Sequence, residues 1–310
     1  MRKELLVLMG LVLVVLAGCK GKNTVSASDP FLGGTTGLLI SFMEDAPPVE
    51  VYDGGDFPFD IVVKLTNDGV SDVAASDVRV KISGIDPAQF SKTSADLVRS
   101  PDEELIRTYK DSEGNEIEGI TTLVAFDSLN YHETLSGNLQ FPVRVDVCYK
   151  YSTKAVTQLC IKEDLQDTSE DAVCIVTGDK PVYSSRAPVQ ITDMKESVRG
   201  GERIGFVFTV KNMGNGNLYQ KDSKCDTTGI KYENKVWIDV NSGMAGLECQ
   251  GLSEGTSSSG YATLYGGERV ITCTQDAASS TDYIKPVDIT LTYDYRENQE
   301  KQLLVKHTVQ

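Results

Sequence analysis

Apolar and polar residues alternate with period two along most of this chain, and the pattern is longest in two places. At 141–162 the sequence reads FPVRVDVCYKYSTKAVTQLCIK, and Val143, Val145, Val147, Tyr149 and Tyr151 fall on one face. At 285–306 it reads KPVDITLTYDYRENQEKQLLVK, with Val287, Ile289, Leu291, Tyr293 and Tyr295 in the matching places. Both stretches run Pro, an alternating segment, Tyr-x-Tyr, a polar middle, then Gln-Leu-(Cys/Leu)-(Ile/Val)-Lys. Strict alternation is the mark of a half-buried strand, and a polar middle flanked by two such runs predicts a long β-hairpin in each copy. A repeated hairpin predicts a repeated domain.

Further strands repeat in the same order. The segment 57–69 (FPFDIVVKLTNDG) places Phe59, Ile61, Val63 and Leu65 inward and ends in Asn67-Asp68-Gly69; 204–214 (IGFVFTVKNMG) places Ile204, Phe206, Phe208 and Val210 inward and ends in Asn212-Met213-Gly214. Asn and Gly suit the exit of a strand because both tolerate positive φ. The next strands align Val78-Arg79-Val80 with Val236-Trp237-Ile238. An LLISF strand broken by Pro47-Pro48 is expected at a sheet edge, since proline cannot complete a central ladder. The predicted fold is all-β: two tandem Ig-like antiparallel β-sandwiches, at 36–165 and 187–310, joined by a linker at 166–186. Between 85 and 123 the first copy has additional sequence, which predicts one extra strand pair around Asp111-Ser112-Glu113-Gly114-Asn115-Glu116.

An alternating strand closing in Asn-x-Gly, a further strand, and a Gly-containing turn (Leu264-Tyr265-Gly266-Gly267-Glu268) before a long final hairpin resemble the CARDB and related Ig-like modules. Such modules are common in surface proteins of archaea and bacteria. The resemblance implies a seven-stranded sandwich and an extracellular binding or spacer role, and it implies no chemistry.

The N-terminus predicts an address. Arg2 and Lys3 precede an apolar run at 5–16, about the length of a signal-peptide core and too short for a comfortable membrane span. Leu16-Ala17-Gly18-Cys19 follows and resembles the lipobox of prokaryotic lipoproteins, which implies cleavage before Cys19 and diacylglycerylation of its thiol. The expected layout is a signal peptide at 1–19, a polar tether at 20–35, and an extracytoplasmic body held to the membrane by lipid.

The remaining six cysteines are an even number, which in an exported chain predicts disulfides. If each long stretch is a hairpin, Cys148 and Cys160 face outward opposite each other and pair. Cys174 is then expected with Cys225, and Cys249 with Cys273.

A net charge of −15 excludes a broad basic face for nucleic acid or anionic membrane. With two histidines and no nucleotide-binding, metalloprotease or nucleophile-elbow pattern, no catalytic residue, cofactor or bound metal is expected. The acidic turns at Asp53–Asp56, Asn67–Asp72 and Asp111–Glu116 are possible calcium ligands, but each reads equally well as a solvated hairpin tip. Trp237, the only tryptophan, should point away from the core and is the candidate contact residue for a protein or glycan partner, unless the loop at 245–260 folds over it. The expected function is a non-catalytic cell-surface adhesion, spacer or envelope-structural module; a ligand- or substrate-binding subunit is the alternative.

Overall fold

A computed structural model describes residues 29–169, 172–225, 228 and 230–308. The expected signal peptide, Cys19 and most of the tether lie outside these residues. The described chain is all-β, with antiparallel sheets and three single-turn 3-10 helices.

The two long alternating stretches are not hairpins. Each is one unbroken strand, Leu139–Ile161 of 23 residues and Tyr283–Lys306 of 24, and they pair with each other antiparallel along their whole length. The alternation was a sound guide to facing, because every odd-numbered residue from Val143 to Ile161 is inward and buried. The polar middles were a poor guide to reversal. Neither Ser152–Thr157 nor Arg296–Lys301 contains a glycine or proline, and the ladder runs straight through both.

Each long strand therefore serves both halves of the chain. The early part of Leu139–Ile161 pairs with Val78–Ser83, while its late part is flanked by Tyr183–Ser184. The early part of Tyr283–Lys306 pairs with Lys235–Asn241, and its last three residues run parallel to Glu50–Tyr52. Two smaller sheets complete the layers. One is Leu38–Phe42, Phe59–Asn67 and Thr121–Leu129 of the first half; the other is built on Val189–Arg199, Arg203–Asn212 and Glu268–Asp276 of the second. Ile61, Val63 and Leu65 on one side and Phe206, Phe208 and Val210 on the other belong to a single core with the inward faces of both long strands. Residues Phe31–Gln310 accordingly form one compact unit.

The predicted extra strand pair is present as Tyr109–Lys110 against Glu116–Ile117, its turn closed by Asp111 accepting from the backbone of Glu113 and Asn115.

Four tyrosines occupy the middle of the long pair. Tyr151 is opposite Tyr293 and Tyr149 opposite Tyr295, and all four are at most 1% exposed. Their hydroxyls explain the repeated Asn-x-Gly. Tyr295 donates to Asn212 Oδ1 at 2.9 Å and accepts from the Gly216 amide at 2.8 Å; Tyr151 reaches Asn67 Oδ1 at 3.4 Å. Asn67 in turn donates to the carbonyls of Ser71 and Leu105. Gly69 lacks a side chain for a steric reason: a Cβ there would collide with the Tyr151 hydroxyl.

The segment at 166–186 is stitched to its surroundings. Lys162, 1% exposed, bonds Asp167 at 2.7 Å; Lys180 bonds the buried Glu196 at 2.8 Å; Arg186 bonds Glu116 at 2.7 Å and the Asp68 carbonyl at 3.1 Å.

The disulfides are Cys148–Cys225, Cys160–Cys174 and Cys249–Cys273. The last is the pairing expected, with its two residues directly opposite on neighbouring strands. Cys148–Cys160 is corrected, since positions about a dozen residues apart on one extended strand are separated by about 40 Å. Cys174–Cys225 falls with it. Both Cys148 and Cys160 do face outward from the shared strand, and each is met by a loop crossing that face.

Candidate binding surface on the shared sheet

The ladder places outward side chains in register across the first half of the shared sheet. Arg79 is opposite Cys148, and Cys148 opposite Arg296; one step along, Lys81 is opposite Asp146. Further along still, Ser83 is opposite Arg144. Alternation brings these groups to one face, because each is in register with Cys148 or lies an even number of residues from a position that is.

A loop at 220–225 lies over this face and is fastened at three points. The first is Cys148–Cys225. The second is Asp294, 2% exposed, whose carboxylate accepts from the backbone of Asp222 at 3.0 Å and Lys224 at 2.6 Å and from the Ser223 hydroxyl at 3.2 Å. The third is Lys150, which bonds Asp222 Oδ1 at 2.7 Å. Positive φ at Asp222, Lys224 and Cys225 coils the loop tightly enough to present consecutive donors to one carboxylate. Burial raises the Asp294 carboxyl above its ordinary range, with the two backbone amides opposing that shift.

Between the loop and the strands is a cavity of about 360 Å³ lined by Arg79, Lys81, Arg144, Lys224, Arg296 and Asp146, with Cys148, Cys225 and Ser83. Arg144 is engaged by Asp146 at 2.8 Å, and Ser83 donates to the other Asp146 oxygen at 2.9 Å. The Arg296 guanidinium lies 5.1 Å from the Tyr219 ring centroid, and its Nε is buried without a hydrogen-bond partner among the described residues.

Trp237 lies in the same outer layer, at the position in the second half that Arg79 holds in the first. Arg79 is opposite Cys148 and Trp237 opposite Thr292, the residue aligned with Cys148 in the repeat. Its half-buried ring packs edge-on against Tyr261, centroids 4.9 Å apart, and Lys221 Nζ sits 3.8 Å over it. The cover comes from Tyr261 on the adjacent strand and from the 220–225 loop, and the indole is more enclosed than a free contact residue would be.

The acidic turns are used internally. Asp53 is buried and accepts from the Leu135 and Thr308 backbones, with His307 Nδ1 at 2.8 Å; the His307 bond foremost holds its carboxyl well below the usual range. Asp72 bonds Arg107, and Asp111 closes its own turn. Among the described residues no group of His, Cys, Asp or Glu side chains is arranged to hold a metal ion.

The three disulfides point to an oxidising, extracytoplasmic environment. Among the described residues no helix is long and apolar enough to cross a membrane. Comparison with known protein families and with curated proteins found no match. The cationic cavity escaped the sequence because its residues come from three strands and a loop. The signal was nonetheless present: Arg79, Lys81, Arg144 and Arg296 all have outward parity.

Proposed function

We propose that this chain is a non-catalytic module displayed outside the cytoplasm, anchored by lipid at Cys19 and acting as an adhesion or spacer element of the CARDB-like, Ig-like type. The observation that supports it best is the pair of long strands. Their register is continuous from Leu139 to Ile161, a span of about 75 Å. Two halves fused through such a ladder resist bending between them, which suits an element that holds a surface at a fixed distance from the membrane.

Intact mass and detergent partitioning of the full chain and of Cys19→Ser test the anchoring. A mass matching acylated Cys19, with partitioning lost in the variant, is expected; an unmodified cysteine overturns the lipoprotein reading. For the module itself, expression in a lipoprotein-processing bacterium followed by protease treatment of whole cells should release fragments of the body. A body protected until the cells are lysed and the envelope opened argues against display.

A second reading, that the module binds a ligand, is favoured by the cationic cavity beside Cys148.

A further inference from the structure

We infer that the cavity between the 220–225 loop and the shared sheet is a binding site for a phosphoryl or sulfuryl group carried on a molecule of about monosaccharide size. The inference concerns the folded protein in solution and does not depend on lipid anchoring or surface display.

The first argument is charge. Of the five cations that line the cavity, only Arg144 is paired with a carboxylate, Asp146. Arg79, Lys81, Lys224 and Arg296 have no carboxylate partner among the described residues, in a chain whose net charge is −15. Four such cations gathered on an acidic molecule form a local positive focus that attracts an anion at short range, against the repulsion of the surrounding negative surface.

The second argument is geometry. Arg79 and Arg296 flank Cys148 on its two neighbouring strands, so their backbones are separated by two strand spacings, about 10 Å. Two guanidinium groups reaching inward from that separation can each present a fork of donors to one tetrahedral oxyanion. Lys81 and Lys224 add point charges from the next residue pair and from the loop.

The third argument is construction. The loop carrying Lys224 is held by a disulfide, by buried Asp294 and by Lys150, so the cavity is formed in advance of any ligand. Arg296 keeps a buried Nε–H without a partner, which is costly unless something accepts from it. A volume of about 360 Å³ exceeds what a bare ion fills and lies at the lower end of small-molecule sites. The rim is polar and charged, as suits a hydroxylated carrier.

Isothermal titration of the purified chain at low salt, with inorganic phosphate, inorganic sulfate, glucose 6-phosphate, glucose 6-sulfate and glucose as probes, tests this. Saturable binding of the two sugar esters is expected, tighter than that of the inorganic ions, absent for glucose and weakened by added salt. Arg79→Gln and Lys81→Gln alter exposed side chains and should retain the wild-type melting temperature, while each lowers sugar-ester affinity about tenfold. Arg296→Gln should likewise lower sugar-ester affinity about tenfold, and Lys64→Gln, on another sheet, should have no effect. Vesicles containing phosphatidylglycerol form a separate arm: binding to them that Arg79→Gln weakens assigns the same phosphoryl chemistry to a lipid headgroup. No saturable binding of any anionic probe, or binding that survives Arg79→Gln and Lys81→Gln unchanged, overturns the inference. Either result leaves the display experiments untouched.

Discussion

Tyr151 stands directly opposite Tyr293 across the two long strands, their ring centroids 6.5 Å apart, and each comes from the half of the chain that the other completes. Tyr149 and Tyr295 make the neighbouring pair at 6.0 Å. The four rings and their hydroxyl partners form the junction between the halves, so the junction is core rather than linker.

Removing one hydroxyl should be felt throughout the molecule. Tyr295→Phe leaves the Gly216 amide and Asn212 Oδ1 without their partner at 2.8 and 2.9 Å, a loss of about 1–3 kcal/mol. The expected result in urea is one transition, shifted to lower denaturant with unchanged slope. Two separated transitions, only one of them shifted, would show that the halves unfold independently.

Dividing the chain between the halves should leave neither half complete. A fragment of residues 184–310 lacks the strand Leu139–Ile161 that pairs with Tyr283–Lys306 along its length. Alone it should show no cooperative monomeric transition, and mixing it with residues 29–183 should restore one. The check is circular dichroism with sedimentation; a fragment that melts cooperatively as a monomer contradicts the shared-strand arrangement.

The disulfides have unequal weight. Cys148–Cys225 closes 77 residues and Cys160–Cys174 only 14, which in the chain-entropy picture correspond to about 4.5 and 3 kcal/mol. Cys148→Ser with Cys225→Ser should therefore destabilise more than Cys160→Ser with Cys174→Ser. It also removes one of the three fastenings of the 220–225 loop, leaving Asp294 and Lys150 to hold it. Non-reducing peptide mapping should recover Cys148 linked to Cys225, and any Cys148–Cys160 peptide would refute the straight strand.

Glu196 should impose a pH dependence of its own. Its side chain is fully buried, bonded to Lys180 at 2.8 Å and to the Cys160 amide, and burial pushes its pKa up to about 7 from 4.5. Between those values the folded protein holds a proton that the unfolded chain has released. Folding takes up a proton there, so stability falls as pH rises through the window and levels off above about 7. The full effect is about 3 kcal/mol. Glu196→Gln should remove that slope, seen as a smaller gap between urea midpoints at pH 5 and pH 8; an identical gap in both proteins would refute it.

The facing of residues was legible because period two is a local property. Val147 and Tyr149 are inward, and Cys148 and Arg79 outward, whether a strand turns back or runs straight. The partner of a strand is not local. Nothing in STKAVT demands a turn, but nothing in its alternation names Val287–Thr292 as its mate, and the ladder that joins them is decided by the whole fold. Disulfide pairing inherits that choice. Cys249–Cys273 could be anticipated because its two strands are neighbours within one half, whereas Cys148 depends on where a loop of the other half lands.

The shared ladder also sets the order in which a newly made chain can finish folding. Glu50–Tyr52 is synthesised long before its strand partner, Leu304–Lys306. The first half must leave the ribosome with the edge of Leu139–Ile161 open and wait for Tyr283–Lys306 to zip along it. For that interval a long apolar edge is available to any other chain in the same state, and two such chains could close on each other in place of on themselves. Chaperones would meet a first half that stays incomplete in structure until Tyr283–Lys306 has been made.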